Sequence, residues 1–199
     1  MDSIRLPLVY LYRKVVFPHC NLAFPVRSKS AARLKQGEKI CALPVRGLRD
    51  FLPFRARLAT IAEVLDVKGE GETAEITVKG VSRARIVKLA GVFSAIVKPV
   101  PEEGGAQLER VREELRKKAQ ELIFLINVDE SDKLIHLLNF LVNLHQLTDF
   151  ISNYFILRLP RRFEVFMETD VEKRAGMLLS TLDVLIDELK NKRGQQGAS

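Results

Sequence analysis

The sequence predicts an α+β protein, with a β-rich subdomain over residues 1–100 followed by a helical bundle over residues 101–193. Prolines and glycines interrupt the first hundred residues at short intervals, which excludes long helices there. Two prolines and two glycines fall within the seven residues Pro99–Gly105 and mark a linker. Beyond it, apolar residues recur every three or four positions, which is the period of an α-helix. Because strands and helices hardly alternate, we expect two subdomains in series rather than a doubly wound sheet.

A β-hairpin is the clearest local unit of the first half. Residues 59–67 and 73–79 follow a period of two, and Lys68–Glu72, with two glycines, forms the turn. We expect the odd-numbered residues of the first arm to share a face, the even-numbered residues of the second arm to share a side, and one face of the pair to be buried. A short helix over Ala31–Gln36, ended by Gly37, interrupts the strands.

Four helices are expected in the second half. The first is long and carries one apolar stripe, and the second begins near Ser131. The third covers about residues 148–157, after which Pro160 breaks the chain. A capping box at Thr169–Glu172 starts the last helix. The tail over residues 194–199 has nothing to bury, so we expect it to be disordered.

Three segments resemble the N-terminal region of the Lon protease family. They are Leu6–His19, Leu58–Ile86 and Leu147–Arg174, and the resemblance spans roughly residues 4–190. It implies a pseudo-barrel of PUA-like type followed by a helical bundle, which together recognise substrate polypeptides. It also implies that the Gly80–Arg85 segment is a turn that links strands.

The motifs of the family's catalytic modules are missing from the sequence. There is no Gly-x-x-x-x-Gly-Lys-Ser/Thr phosphate loop, and no serine has a lysine three positions on. The histidines His19, His136 and His145 form no metal or catalytic motif, and we interpret them as structural. We therefore expect a protein that is not an enzyme and has no cofactor or metal. Met1 and the polar tail favour a stand-alone form over a fragment of an ATP-dependent protease.

The segment Val45–Arg57 is the strongest candidate for binding. Apolar and aromatic residues alternate there with arginines, and Gly47 and Pro53 make a regular strand unfavourable. The candidate site residues are Leu48, Phe51, Leu52, Phe54, Arg49 and Arg55. They could grip an extended apolar peptide, with the arginines orienting carbonyl groups or acidic side chains. In the alternative interpretation, Phe51 and Phe54 plug the open end of the barrel. Exposed strand edges offer a second route, by strand addition.

Charge bears on the choice of partner. Residues 1–100 contain 18 Lys/Arg against 8 Asp/Glu, whereas residues 101–199 contain 14 against 17. The expected partners are unfolded or degron-bearing polypeptides, with a separate protease or self-association as further options. RNA binding through the basic half is the alternative function. No apolar run is long enough to span a membrane, and the two cysteines are expected as buried thiols, so we expect a cytoplasmic protein.

Overall fold

The computed structural model describes residues 2–27, 34–47, 50, 57–69, 72–102, 108–126 and 131–196. These residues form six strands followed by five helices, so the predicted α+β fold is confirmed. The strands are β1 (Ile4–Tyr12), β2 (Asn21–Arg27), β3 (Lys39–Val45), β4 (Arg57–Lys68), β5 (Thr73–Leu89) and β6 (Ser94–Pro99). The helices are α1 (Glu109–Ile126), α2 (Ser131–Phe140), α3 (Leu144–Tyr154), α4 (Leu159–Met167) and α5 (Val171–Gln196).

The chain divides into two compact units. The first comprises Met1–Pro101 and Leu157–Met167, and the second comprises Glu102–Ile156 and Glu168–Ser199. The first unit therefore contains all six strands and α4, and the second contains the other four helices.

The strands of the first unit close into a barrel. Their order is β2-β5-β4-β3-β1-β6, and β5 pairs with β6 as well, which joins β5, β4, β3, β1 and β6 into a ring. The first half of β5 pairs with β2 and its second half pairs with β6. β1 and β3 run parallel, whereas the other strand pairs are antiparallel.

Two apolar clusters use opposite faces of these strands, because successive residues of a strand point to opposite sides. The barrel interior receives side chains from all five ring strands: Leu6, Leu8, Cys41, Leu43, Val45, Ala59, Ile61, Ala84, Ile86, Ala95 and Val97. The second cluster joins β2 to the other face of the sheet: Leu11, Val16, Phe24, Ile40, Ala42, Ala62, Val64, Ala74, Ile76 and Val78.

The predicted hairpin is present as β4 and β5, but the alternation of its first arm is partly wrong. The even-numbered residues of the second arm are buried together, as expected. In β4 the register shifts between Ile61 and Ala62 and again after Val64. Val67 therefore packs in the cluster of Ala62 and Val64 rather than in that of Ala59 and Ile61. Because apolar clusters pack on each of its faces, β4 is buried on both faces along its first half.

The short helix predicted over Ala31–Gln36 falls largely outside the described residues, which resume at Leu34. Leu34 and Lys35 are not helical, and Gln36 lies in a turn. Gly37 has a φ of 79°, in the left-handed region that favours glycine, and its N–H donates to the Val64 carbonyl oxygen (2.8 Å).

Gly80 marks the place where the β1–β2 connection crosses β5. Its N–H donates to the Cys20 carbonyl oxygen (2.9 Å). A Cβ atom at this position would lie 2.2 Å from the Phe17 carbonyl oxygen, so the crossing requires glycine. The turn expected at Gly80–Arg85 is wrong, because β5 continues through this segment. The glycine provides space for the crossing backbone, not a bend.

Helix α4 packs on the outside of the barrel. Phe163 and Phe166 join an apolar cluster with residues from the β1–β2 connection and the start of β4: Val15, Phe17, Cys20 and Leu58. The rings of Phe17 and Phe166 meet edge to face, with centroids 5.9 Å apart. The predicted helical bundle over residues 101–193 included this segment, but the structure places it with the barrel because its phenylalanines complete this cluster. Pro160 lies in the first turn of α4, where its missing N–H is tolerated.

Helices α1, α2, α3 and α5 form the second unit. The stripe of α1 is buried through Leu115, Ala119, Leu122 and Ile123. α2 begins at the predicted Ser131, and α3 begins four residues before its predicted start. α5 extends into the predicted tail, whose last residues, 197–199, lie outside the described part of the chain. None of the described helices is long and apolar enough to cross a membrane.

A buried arginine joins α3 to α5 in this unit. The Arg174 side chain is fully buried and donates three hydrogen bonds, to Thr148 Oγ1 (3.0 Å), to the Glu168 carbonyl oxygen (2.9 Å) and to His145 Nδ1 (3.1 Å). Asp149 Oδ1 lies 3.9 Å from Arg174 Nε. Because arginine only donates, His145 accepts through an unprotonated Nδ1. This cluster gives the family-like segment Leu147–Arg174 a structural role.

Asp170 caps α5, so the capping box predicted at Thr169 is wrong. Asp170 Oδ1 accepts hydrogen bonds from the N–H groups of Glu172 (2.9 Å) and Lys173 (3.1 Å). Both hydrogen bonds lower the pKa of the Asp170 carboxyl group, and the one from the Lys173 N–H has the larger effect. The carboxylate thus satisfies two of the four amides that have no partner at the start of a helix.

Candidate functional site at one end of the barrel

The predicted binding segment belongs to the connection between β3 and β4. Its candidate residues lie outside the described residues: Leu48, Arg49, Phe51, Leu52, Phe54 and Arg55. The structure describes both attachment points, Val45 at the end of β3 and Arg57 at the start of β4, together with Arg46, Gly47 and Asp50. These residues locate the connection at one end of the barrel.

The first turn of the connection is held by a carboxylate. Asp50 Oδ2 accepts from the Arg46 N–H (2.6 Å), and the Asp50 N–H donates to the Gly47 carbonyl oxygen (3.0 Å). The Arg46 guanidinium also lies 3.7 Å from that carboxylate and 5.5 Å from the centroid of the Phe163 ring. The chain therefore leaves β3 in a defined direction, with Arg46 beside α4.

The directions of the strands bring two further segments to this end. β1 and β3 are parallel and both finish here, β4 begins here, β5 finishes here and β6 begins here. The end thus carries Tyr12 at the end of β1 with Arg13 and Lys14 after it, the connection 46–56 between β3 and β4, and residues 90–93 between β5 and β6. Segments far apart in sequence become neighbours because the barrel closes.

Backbone hydrogen bonds fix these segments to each other. The Arg13 N–H donates to the Val45 carbonyl oxygen (2.7 Å), which ties the end of β1 to the end of β3. The Leu8 N–H donates to the Phe93 carbonyl oxygen (2.9 Å), which ties the β5–β6 turn to β1. Gly91 has a φ of 112°, a conformation that favours glycine, and turns the chain between the two strands.

Four apolar side chains at this end are largely exposed. The exposed fractions are 62% for Tyr12, 61% for Val87, 68% for Val92 and 58% for Phe93. Tyr12 continues the alternate residues of β1 whose earlier members face the barrel interior, so it lies on that face beyond the last interior residue. We name these four residues the apolar rim.

The barrel interior has partly buried neighbours in addition to its buried cluster. Tyr10 and Leu89 are partly buried and pack against the interior cluster. The alternative in which Phe51 and Phe54 plug the barrel concerns residues outside the described part, so it stays a prediction.

Cationic residues lie at the same end of the barrel as the apolar rim. We name as the basic rim the cationic residues at the strand ends and connections of this end: Arg13, Lys14, Arg46, Arg57, Arg85 and Lys88. Arg85 is included because it pairs with Leu58, the second residue of β4. The segment of α4 adds Arg158, Arg161 and Arg162. Burial lowers the pKa of the Arg162 guanidinium, which lies 5.3 Å from the centroid of the Phe17 ring.

The surroundings of the thiols and the histidines are given by the described residues. Cys20 and Cys41 are free and buried, as predicted, and burial raises the pKa of Cys41 to about 12, which keeps the thiol protonated. His145 accepts from Arg174, His136 packs against a phenylalanine ring, and His19 is exposed at the β5 crossing. Within the described part of the chain, no group of three or more His, Cys, Asp or Glu side chains could hold a metal ion.

Sequence reasoning missed the apolar rim. One signal was present, because Val92 and Phe93 follow Gly91 in a turn, where large apolar residues are uncommon. Tyr12 had no such signal, since it reads as one more residue of an apolar strand. Its exposure follows only from where β1 leaves the barrel.

The comparisons with known proteins agree with this fold. The sequence matches the family described as ATP-dependent protease La (LON) substrate-binding domain over residues 5–184. The fold is similar to the N-terminal domain of a Mycobacterium avium complex Lon protease, with a TM-score of 0.71 and 18% identity, covering 90% of this chain and 98% of that one.

It is also similar to a Lon N-terminal domain protein from Xanthomonas campestris, with a TM-score of 0.60 and 15% identity, covering 89% and 98%. At these identities the structural matches show the fold alone. No curated protein matches the chain. Because the family match covers most of the sequence, this chain belongs to the family of Lon protease substrate-binding domains.

Proposed function

We propose that the chain captures non-native or degron-bearing polypeptide segments at the barrel end that carries the apolar rim. The observation that carries this proposal is the set of four exposed apolar side chains at the barrel end to which the 46–56 connection is attached. Membership in a protease substrate-binding family supports polypeptide as the ligand and favours it over RNA. Association with a protease module is part of the same proposal.

The energy of capture would come from apolar burial. Covering about 100 Å² of each of the Tyr12 and Phe93 rings would contribute about 2.5 kcal/mol per ring, before the cost of ordering the peptide. Tyrosine and phenylalanine are suited to this because a large area is presented with few rotatable bonds. The main-chain bonds at Val45 and Leu8 hold the strand ends that carry these rings, so little ordering of the protein is needed.

Binding of a reduced, permanently unfolded model protein to three serine variants tests the proposal. We expect Tyr12→Ser with Phe93→Ser to weaken binding about tenfold or more, with the fold intact, because both side chains are largely exposed. Phe51→Ser with Phe54→Ser should weaken it as well if the connection takes part. Phe124→Ser is the matched control, since Phe124 is 65% exposed in the second unit.

Equal affinities for the wild type, the Tyr12/Phe93 variant and the Phe124 control would overturn the proposed site. Loss of binding in the Phe124 control alone would move the site to the second unit. Circular dichroism spectra of all variants separate lost contacts from lost structure.

A further inference from the structure

We propose that the basic rim selects, among apolar segments, those flanked by acidic residues. This inference rests on the proposed function, because it concerns the substrate class of the same barrel end. It follows from the way in which charge is distributed between the two ends of the barrel, and not from the net charge of the chain.

The two ends of the barrel differ sharply in their carboxylates. In the described part of the barrel strands and their connections, Asp50 is the one acidic residue at the end with the basic rim. The others lie toward the opposite end: Asp2, Glu38, Glu63, Asp66, Glu72 and Glu75. Two cations toward the opposite end have these carboxylates as neighbours. Lys39 pairs with Glu63 in the strand register, and Lys68 Nζ lies 2.8 Å from Asp66 Oδ2.

The carboxylates near the basic rim are already engaged. Asp50 binds the N–H and guanidinium of Arg46. On α4, Glu164 Oε2 accepts from Arg161 Nη1 (2.9 Å). Among the described residues, neither carboxylate pairs with Arg13 or Lys88. The positive potential at Arg13 and Lys88 is therefore left for a ligand to neutralise.

The cations and the apolar rim are interleaved along the chain. Tyr12 precedes Arg13 and Val87 precedes Lys88, and in each pair both side chains are exposed. A peptide that covers the apolar side chain must bring its flanking residues within a few residues' length of the cation. This separation is comparable to the Debye length of about 8 Å at physiological salt, so the attraction between the cation and an acidic flanking residue is only partly screened. Flanking Asp or Glu would be attracted, and flanking Lys or Arg would be repelled, which rejects basic segments.

Fluorescence anisotropy with three peptides tests the inference. The peptides share one apolar core with an aromatic residue and differ in their flanks, which are Asp/Glu, Ser/Gln or Lys/Arg. At low salt we expect the acidic peptide to bind at least about tenfold more tightly than the basic one, with the neutral one between. Raising the salt concentration should reduce the difference in affinity between the acidic and basic peptides, while the contribution of apolar burial to binding persists.

Two double variants with the same change in net charge locate the effect. Arg13→Gln with Lys88→Gln should reduce the difference between acidic and basic peptides severalfold. Lys39→Gln with Lys79→Gln, at the opposite half of the barrel, should leave the difference unchanged. Equal loss of selectivity in both double variants would show that net charge alone is responsible, which overturns selection by the rim.

The remaining outcomes separate the two proposals. Equal binding of all three peptides overturns acidic selection and leaves polypeptide capture standing. No binding of any peptide or of the unfolded model protein overturns polypeptide capture itself. A single-stranded oligonucleotide that binds more tightly than the acidic peptide, and displaces it, would assign the basic rim to nucleic acid and overturn the inference.

Discussion

Two regions of the first unit contain arginine in different surroundings. At the contact between β5 and α4 the arginine is buried, whereas in the basic rim Arg85 is exposed. Arg83 and Arg85 are two residues apart on β5, and both point away from the barrel interior, which receives Ala84. Arg83 is only 4% exposed. Its Nε donates to the Phe166 carbonyl oxygen (3.1 Å), and its guanidinium lies 5.4 Å from the Phe166 ring centroid. Arg85 is exposed.

The difference comes from α4, which covers one arginine and leaves the other in solvent. A covered arginine holds the fold together, because its charge must be matched by fixed partners. An exposed arginine contributes little to the fold and is available to a ligand. Arg174, buried between α3 and α5, is the counterpart of Arg83 in the second unit. Removing covered arginines should therefore reduce stability, whereas removing exposed ones should reduce binding.

The largest effect is expected from Arg174→Met. The substitution removes one charge from a buried cluster, together with the ion pair from Arg174 to Asp149 and the hydrogen bond from Arg174 to His145. We expect a loss of about 3–5 kcal/mol in the free energy of unfolding, measured by urea denaturation followed by far-UV circular dichroism. Lys173→Met, at the exposed neighbouring position, should change it by less than about 0.5 kcal/mol. Similar losses in both variants would break the distinction between covered and exposed cations.

Gly80→Ala tests the packing around Phe17, whose backbone approaches Gly80 and whose ring packs against Phe166 of α4. The added Cβ would lie 2.2 Å from the Phe17 carbonyl oxygen, and a backbone atom cannot move away as a flexible side chain can. We expect a loss of about 2 kcal/mol or more in the free energy of unfolding. Gly176→Ala is the matched control at an exposed position of α5, where nothing lies within 4 Å of the added Cβ, and should stabilise by about 0.5–1 kcal/mol. A neutral Gly80→Ala would mean that the crossing is not tightly packed.

Arg83→Met and Arg85→Met give the sharpest matched pair. Arg83→Met leaves the buried Phe166 carbonyl without this donor, and should cost about 1–3 kcal/mol in unfolding free energy. Arg85→Met should change stability by less than about 0.5 kcal/mol and should weaken the acidic peptide more than the neutral one. If Arg83→Met altered the preference between peptides without loss of stability, Arg83 would be accessible to the ligand, which contradicts its burial beneath α4.

The β4–β5 hairpin and most helices could be predicted because their signals are local. Alternation in β5 and the stripe of α1 arise from neighbours in sequence. Helix α4 could not be predicted in the same way, since Pro160 is typical of a chain break. The apolar residues of α4 pack against Phe17, which is distant in sequence, so no local pattern indicates their burial. The role of Gly80 was misread for the same reason, because the crossing chain comes from more than sixty residues earlier.

The candidate site was predictable only in part. The Val45–Arg57 connection stands out in the sequence because its aromatic residues and arginines do not fit a strand. The apolar rim does not stand out, because the exposure of Tyr12 and Phe93 depends on which ends the closed barrel brings together. The same limit applies to Arg83 and Arg85, which no local pattern distinguishes.

The smallest effect concerns Asp170, an exposed charge that nevertheless supports the fold. Hydrogen bonds from the Lys173 and Glu172 amides lower its pKa in the folded protein. The associated stabilisation is therefore present above the unfolded pKa of about 3.9 and is lost as the pH falls through the lower folded value. Asp170→Asn should keep the cap at neutral pH and show a smaller loss of α5 stability on acidification, measured by urea denaturation at pH 7 and below pH 4. Asp187→Asn on the same helix should keep the wild-type acid response. If Asp170→Asn loses as much stability on acidification as the wild type, the backbone hydrogen bonds do not lower the pKa of this carboxylate. Exposure would then be sufficient to distinguish the charges that stabilise the fold from those available to a ligand.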